Sequence, residues 1–284
     1  MKKEKLKIGR IPYANLFPVF YYLDNECNHS KYTFIKGVPS KLNKMLRNGD
    51  LDISPFSSIE YLRNKKKYLI LPWFSISSSG PIDSILLFSK FPLNELGGKT
   101  IAVTSDSETS TALLKVILKE FLSLKCKFKP TSLRSVRNIL SSYSAVLHIG
   151  DTAMIEAKKQ SAISSQQSNP PIPPFLKGGK GGLFIYDLGE LWDRQTGLPF
   201  VYALWVIRKK SLLEKGELIK KLSSDLLNAK KYATKNLPLI ARASPLKKWI
   251  GEKELVKYWK IISYDFTEKH MEGLRLFEKY ALKK

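Results

Sequence analysis

The sequence predicts an α/β fold divided into two lobes, and three observations carry that expectation. Short apolar runs alternate with amphipathic stretches in the βαβ rhythm of parallel sheets. Three hydroxyl-rich segments, Ser54-Pro-Phe-Ser-Ser58, Ser77-Ser-Ser-Gly-Pro81 and Thr104-Ser-Asp-Ser-Glu-Thr-Ser110, each follow a strand-like run or fill a turn before the next element. The apolar run 198–207 comes after a second α/β stretch, where a strand returning to the first lobe belongs. At 284 residues the chain is long enough for two ordinary domains. We place residues 1–90 in lobe I, 91–199 in lobe II and 200–284 back in lobe I.

Taken in order, Lys5 to Ile11 alternates and ends at Pro12, a first strand that delivers Tyr13, Ala14 and Asn15 to its carboxyl end. Leu16 to Leu23 follows as a helix, and Lys31 to Lys36 as a β-rich run. Pro39 to Asn48 is an amphipathic helix with Leu42, Met45 and Leu46 on one face, stopped by Asn48-Gly49-Asp50. Leu51 to Ser54 is a short strand, which leaves Ser54 to Ser58 in a loop, and Ser57-Ser-Ile-Glu60 resembles a helix start. Ser84 to Ser89 is a further strand, and the first crossing between lobes is placed after it, at Pro92 to Lys99. Ile101 to Thr104 opens the second lobe. Its helix, Ser110 to Leu124, carries Leu113, Leu114, Ile117, Leu118 and Phe121 at helical spacing, with Ser107 or Thr109 as cap. Arg134 to Ser141 reads as a helix, Ala145 to Ile149 as a buried strand, Gly150-Asp-Thr152 as its turn into the helix Ala153 to Lys159, and Leu212 to Lys284 as mainly amphipathic helix.

Composition narrows the function classes. A hydrophobic fraction of 43% fits a globular protein. The formal charge of +23 is carried mostly by lysines scattered over predicted helix surfaces, with no nucleic-acid recognition motif, so a solvated basic surface is expected and no nucleic-acid partner. Cys27 and Cys126 stand alone in polar or lysine-rich contexts, which suggests neither a zinc site nor a disulfide. The basic opening lacks an apolar stretch behind it, because Pro12, Asn15 and Pro18 interrupt the sequence, and no apolar run approaches the roughly 20 residues of a membrane span. A cytoplasmic protein without a membrane partner is expected; oligomeric state is not legible.

Hydroxyls and free backbone N–H groups at helix starts can grip a carboxylate or phosphate, and α/β sheets place ligands beyond the carboxyl ends of their strands. The expected ligand is therefore a small acid held between lobes. Candidate binding residues are Ser57, Ser58, Ser79, Gly80, Thr104, Ser107, Thr109 and Ser110, although caps and turns account for hydroxyls at any one of these positions. Asp151 either caps its helix or orients a substrate hydroxyl as a general acid. Thr196 and Gly197 either close the cleft or form a turn. His148 inside a buried strand is assigned to structure, and Trp192, Phe200, Tyr202 and Trp205 to packing at the lobe junction. The segment 161–182, with its Asn169-Pro-Pro-Ile-Pro-Pro-Phe-Leu-Lys-Gly-Gly-Lys-Gly-Gly182 run, is foreign to the α/β rhythm. It lacks the GxxxxGK[ST] pattern of a phosphate loop and reads as a surface insertion.

Four motifs in order, Ile8-Gly-Arg-Ile-Pro-Tyr-Ala-Asn15, Gly37-Val-Pro-Ser-Lys-Leu-Asn43 through Asp52-Ile-Ser-Pro-Phe-Ser-Ser58, Ser79-Gly-Pro-Ile-Asp-Ser84, and Asp187-Leu-Gly-Glu-Leu-Trp192 with Thr196-Gly-Leu-Pro-Phe200, resemble the chorismate dehydratases of the futalosine menaquinone pathway. The resemblance covers nearly the whole chain outside the insertion. It implies a two-lobed fold similar to type II periplasmic solute-binding proteins, used by a cytoplasmic enzyme that removes water from dianionic chorismate to give 3-[(1-carboxyvinyl)oxy]benzoate without redox cofactor or metal. It also implies a catalytic role for Asn15. An amide is a poor general base, so that role is hydrogen bonding and positioning while the substrate's own carboxylate takes the proton; the residue-level alternative is a helix cap. The later naphthoate-forming enzyme of the pathway has a His-Glu pair where this sequence reads His148-Ile-Gly-Asp151, which favours the dehydratase. A non-catalytic small-anion-binding protein is the alternative from another class. Deleting Ile163 to Gly182 is expected to leave folding and activity intact, as checked by circular dichroism and turnover of the shortened chain; loss of folding shows that the segment packs.

Overall fold

The computed structural model describes residues 5–165 and 183–283. The chain begins with β1 (Leu6–Arg10), α1 (Phe17–Asn25), β2 (Tyr32–Lys36), α2 (Pro39–Asn48), β3 (Ile53–Ser57), α3 (Ser58–Arg63) and β4 (Tyr68–Ser78). It then builds β5 (Ile85–Ser89), β6 (Thr100–Thr104), α4 (Glu108–Val116), β7 (Lys127–Thr131), α5 (Val136–Leu140), β8 (Ala145–Ile149), α6 (Gly150–Ser165), β9 (Phe184–Asp187) and α7 (Leu188–Thr196). It closes with β10 (Phe200–Arg208), α8 (Lys209–Ala243), α9 (Glu252–Ile261) and α10 (Glu268–Ala281). One sheet has the order β2-β1-β3-β10-β4 and the other β7-β6-β8-β5-β9. Each lobe thus holds one mixed sheet, as the α/β expectation requires.

The helices form where the sequence supplies stops and faces. Pro39 sits in the first turn of α2, Leu42 and Leu46 bury its inner face, and Gly49 at φ 91° ends it. Ser107 caps α4 by accepting the Ser110 N–H, as expected from sequence. The return strand β10 is also where its apolar pattern put it. It runs antiparallel between β3 and β4, with Trp205 packed against Phe20 and Phe74. Trp192 of α7 meets Phe121, Phe200 and Phe277, so the aromatic residues assigned to packing do join elements of both lobes. Among the described residues no helix is long and apolar enough to cross a membrane.

Four expectations need correction. The Ser84 to Ser89 strand was expected in lobe I, but β5 pairs with β8 and β9 of the second sheet. The first crossing therefore precedes it, at residues 79–84, because this apolar strand completes the second sheet. Ser54 to Ser57 belong to a wholly buried strand, not a loop, since Pro55 and its neighbours pair with β10. Residues 161–165 of the expected insertion finish α6; the rest of it, 166–182, lies outside the described residues. Finally β4, β7, β9 and α7 were not foreseen as elements. Lys127-Phe-Lys-Pro-Thr131 is an edge strand with little apolar signal, and β9 is too short to show periodicity.

Asp52 fastens the return leg to the first sheet. Its carboxylate accepts the Lys7 N–H at 2.8 Å, the Ser211 hydroxyl at 2.8 Å and the Lys215 ammonium at 2.8 Å. Burial raises its pKa, but these partners outweigh burial and hold it below the ordinary carboxylate value. A depressed carboxyl contributes stability that is present above its unfolded pKa and lost as pH falls through its folded pKa. Asp52→Asn is expected to cost about 3 kcal/mol in denaturant unfolding at pH 7 by leaving Lys215 half-paired, and to flatten the acid limb of the stability profile.

Candidate active site

The carboxyl ends of β1, β3, β6 and β8 meet at the junction between lobes. Asn15 stands there in a short 3-10 turn between β1 and α1. The backbone around it is fixed from several sides. Ala14 N–H donates to Asp151 Oδ1 at 2.8 Å, Trp259 Nε1 donates to the Ala14 carbonyl at 2.8 Å, and the Tyr264 hydroxyl donates to the Asn15 carbonyl at 2.5 Å. Its side-chain oxygen, by contrast, is buried and accepts no hydrogen bond from the described residues. Leu16 occupies the cap position of α1, so Asn15 is not the helix cap that a residue-by-residue analysis allowed. A rigidly held amide with a buried, unpartnered acceptor is costly unless a ligand donor meets it.

Ser58 shares this property, its hydroxyl being buried and without a partner among the described residues. It opens α3 at the end of β3, the neighbour of β1 in the sheet. Ser57 beside it is structural. Asn43 of α2 donates through Nδ2 to its hydroxyl at 3.0 Å and accepts its N–H at 3.4 Å. Across the junction, Thr109 Oγ1 accepts the Ile59 N–H at 3.3 Å, while Ser110 and Ser107 share a hydroxyl contact at 3.0 Å. Thr104 accepts the N–H of Asp106 at 3.2 Å. The second-lobe hydroxyls therefore build and dock the start of α4.

The remaining candidates lie at the two crossings. Ser79 is exposed, and Gly80 takes φ 88° with its carbonyl accepting from the Ser78 hydroxyl at 3.0 Å. Thr196 spends its hydroxyl at the end of α7, donating to the Trp192 carbonyl at 2.9 Å and accepting from Leu198 N–H at 3.2 Å, and Gly197 at φ 65° turns the chain. Thr196 is thus a helix-end residue. Asp151 does more than cap: it lies in the first turn of α6 and reaches into the other lobe. His148 is buried against Phe88, and burial lowers its pKa although Glu156 opposes this, which fits its structural assignment.

Tyr13, which the sequence places at the same strand end, is joined there by side chains that the local pattern does not announce. Burial first, then the charges of Asp106 and Asp151, raise the pKa of Tyr13, with Arg134 acting in the opposite sense. Tyr13 therefore faces the ends of β6, β7 and β8. Tyr258 is buried and donates to the Ser84 hydroxyl at 3.0 Å. Tyr258, Trp259 and Tyr264 come from the C-terminal region, some 240 positions from Asn15 in the chain, where local pattern shows only an amphipathic helix.

Asp187 ties the first crossing to the start of α7. Its carboxylate accepts N–H groups from Ile82 at 3.0 Å, Asp83 at 2.6 Å, Gly189 at 2.8 Å and Glu190 at 3.2 Å. A side chain on Gly189 would strike Tyr202 Oη at 2.5 Å and the Gly80 carbonyl at 2.6 Å.

A two-lobed α/β chain with polar atoms gathered at the junction is the architecture of small-ligand-binding proteins. The structural neighbours share the fold. A Candida albicans gene product described as having the generic periplasmic binding protein fold superposes with TM-score 0.66 at 13% identity, over 98% of this chain and 90% of that one. The alkanesulfonate-binding protein SsuA of Xanthomonas axonopodis pv. citri bound to MOPS superposes with TM-score 0.64 at 15% identity, over 97% and 91%. These likenesses show the fold. The family follows from sequence: residues 6–283 match the model for menaquinone biosynthesis, and the chain belongs to that family. A chorismate dehydratase of Thermus thermophilus is 31% identical over 95% of this chain and 93% of its own length, and one of Campylobacter jejuni is 28% identical over 80% and 78%.

Burial pushes the Asp187 carboxyl up to about 6, against the N–H groups that favour its charged form. A carboxyl raised in the fold makes stability fall as pH rises from its unfolded pKa through about 6. Asp187→Asn, with one acceptor oxygen where the carboxylate has two, is expected to cost about 2 kcal/mol at pH 7 and to remove that slope, measured by urea unfolding between pH 4 and pH 7.

Proposed function

We propose that this chain is a chorismate dehydratase, a hydro-lyase that gives 3-[(1-carboxyvinyl)oxy]benzoate for menaquinone biosynthesis by the futalosine route. The observation that carries the proposal is the buried, unpartnered Asn15 side-chain oxygen, held on a rigid backbone at the lobe junction. Identity to the Thermus thermophilus dehydratase across nearly the full length of both chains supports it.

The chemistry suits such a site. The hydroxyl and the proton leave neighbouring ring carbons, the proton is vinylogously acidified by the ring carboxylate, and the product is aromatic. What the protein must supply is orientation and stabilisation of charge that develops on the ring carboxylate, the logic of an oxyanion hole. In the proposal Asn15 orients the substrate, the substrate's own carboxylate takes the proton, and Ser58 offers its buried hydroxyl to a carboxylate. Ser79 and the N–H groups at the start of α4, shaped by Thr104, Ser107, Thr109 and Ser110, complete the binding surface.

Purified protein given chorismate, with product followed by chromatography and mass, tests this directly. Wild type is expected to form the aromatic enol ether, and Asn15→Ala to lose about 100-fold in kcat with its unfolding transition unchanged. Equal rates in both proteins remove Asn15 from the chemistry. Saturable binding without turnover replaces the enzyme with a binding protein.

A further inference from the structure

We propose that Asp151 donates the proton that lets the departing hydroxyl leave as water. This rests on the dehydratase proposal and adds a residue role to it. The turn that presents Asp151 is clamped. Gly150 adopts φ 57° against the ring of Tyr13, where an added Cβ would come within 3.2 Å of Cδ2, and its N–H donates to the Ser84 carbonyl at 2.7 Å. From this turn the carboxyl crosses to the other lobe and accepts the Ala14 N–H at 2.8 Å. One peptide unit separates that contact from Asn15 and its unpartnered amide oxygen. The acid of lobe II is therefore bonded to the residue next to the lobe I amide, in an arrangement that exists only while the lobes touch.

The surroundings push the carboxyl towards its protonated form. Burial raises the Asp151 carboxyl above the usual range, and only the Ala14 N–H and its own N–H oppose this. Among the described residues no cation pairs with it within salt-bridge distance, in contrast to Asp52 with Lys215. The facing titratable groups are the hydroxyls of Tyr13 and Tyr258, both of which respond to the Asp151 charge; Asp106 and Arg134 flank Tyr13, and Asp83 acts on Tyr258. A helix-start aspartate serving only as a cap is better placed where its charge is solvated; this one is half-buried, with its carboxyl bonded to the residue next to Asn15 in the other lobe.

The step balances. The ring proton passes to the substrate carboxylate, and the C–H electron pair becomes the new ring double bond. The C–O pair leaves with oxygen, which takes the Asp151 proton and departs as water. The Asp151 carboxylate then recovers a proton from the substrate carboxylic acid through water, so nothing is consumed and no oxidant or reductant is involved.

Asp151→Asn keeps an acceptor oxygen for the Ala14 N–H but cannot donate an acidic proton. We expect it to dehydrate chorismate at least about 100-fold more slowly than wild type. On an analogue carrying chloride in place of the departing hydroxyl, which leaves without protonation, the same variant is expected to stay within about threefold of wild type. Asp151→Glu, which restores an acid, is expected to recover part of the chorismate rate, and the wild-type kcat to fall on the alkaline side as the acid ionises. Equal losses on both substrates overturn the proposal and leave Asp151 a positioning residue, and an unchanged chorismate rate overturns it outright. Wild type inert towards both substrates defeats the dehydratase proposal itself, a result distinct from a failure confined to the variant.

Discussion

Everything in the site depends on how the second sheet is hung from the first, and one buried carboxylate governs that. Asp187 ends β9, starts α7 and accepts N–H groups from the first crossing, at Ile82 and Asp83, as well as from Gly189 and Glu190. Backbone groups at a crossing have no sheet partners, so without this acceptor they would have to be solvated, and the crossing would be free to wander. Gly189 allows the close approach of the Gly80 carbonyl and the Tyr202 hydroxyl. The bend is specified by packing and hydrogen bonding together.

With the sheets so hung, directed hydrogen bonds join the lobes around the site. Ala14 meets Asp151, Ile59 meets Thr109, and Tyr258 meets Ser84. Each joins a strand end or helix start in one lobe to an element of the other, and each uses a backbone group or a short side chain that has little freedom to lose. Among the described residues, the oxygens of Asn15 and Ser58 are buried at these strand ends without a partner. Because unsatisfied polar atoms weaken a fold, their persistence at the carboxyl ends of adjacent strands points to work done on a ligand.

The fold was largely legible from sequence because its signals are local. Apolar runs gave β1, β3, β6, β8 and β10, and the stop at Gly49 and cap at Ser107 fell where expected. The lobe boundary was misplaced because β5 reads the same whichever sheet it joins; only its pairing with β8 decides. The site was legible in part. Asn15 and Asp151 lie in short segments whose strand-end position is local information. Ser57 and Thr196 looked like ligand hydroxyls, yet their partners are Asn43 and the Trp192 carbonyl, contacts that only packing or helix geometry reveals. Tyr258, Trp259 and Tyr264 were invisible for the opposite reason, since nothing near them in sequence announces that they reach back to Ser84, Ala14 and Asn15.

The same architecture can hold a small acid or transform it, and the difference lies in where its polar atoms act. A binding protein gains most from groups that are complementary to the ligand as it stands, and uniform binding of that kind does not speed a chemical step. In this junction Asn15 is backed by a fixed main chain, and Asp151, bonded to the neighbouring Ala14, is pushed by burial towards its neutral form with no cation at salt-bridge distance among the described residues. A neutral acid is a poor receptor for a carboxylate but a good partner for an oxygen that gains negative charge as its bond to carbon breaks. Placed in a preorganised junction, such a group contributes more to the transition state than to the bound substrate. That asymmetry favours elimination over storage, and it arises from two residues that belong to different lobes.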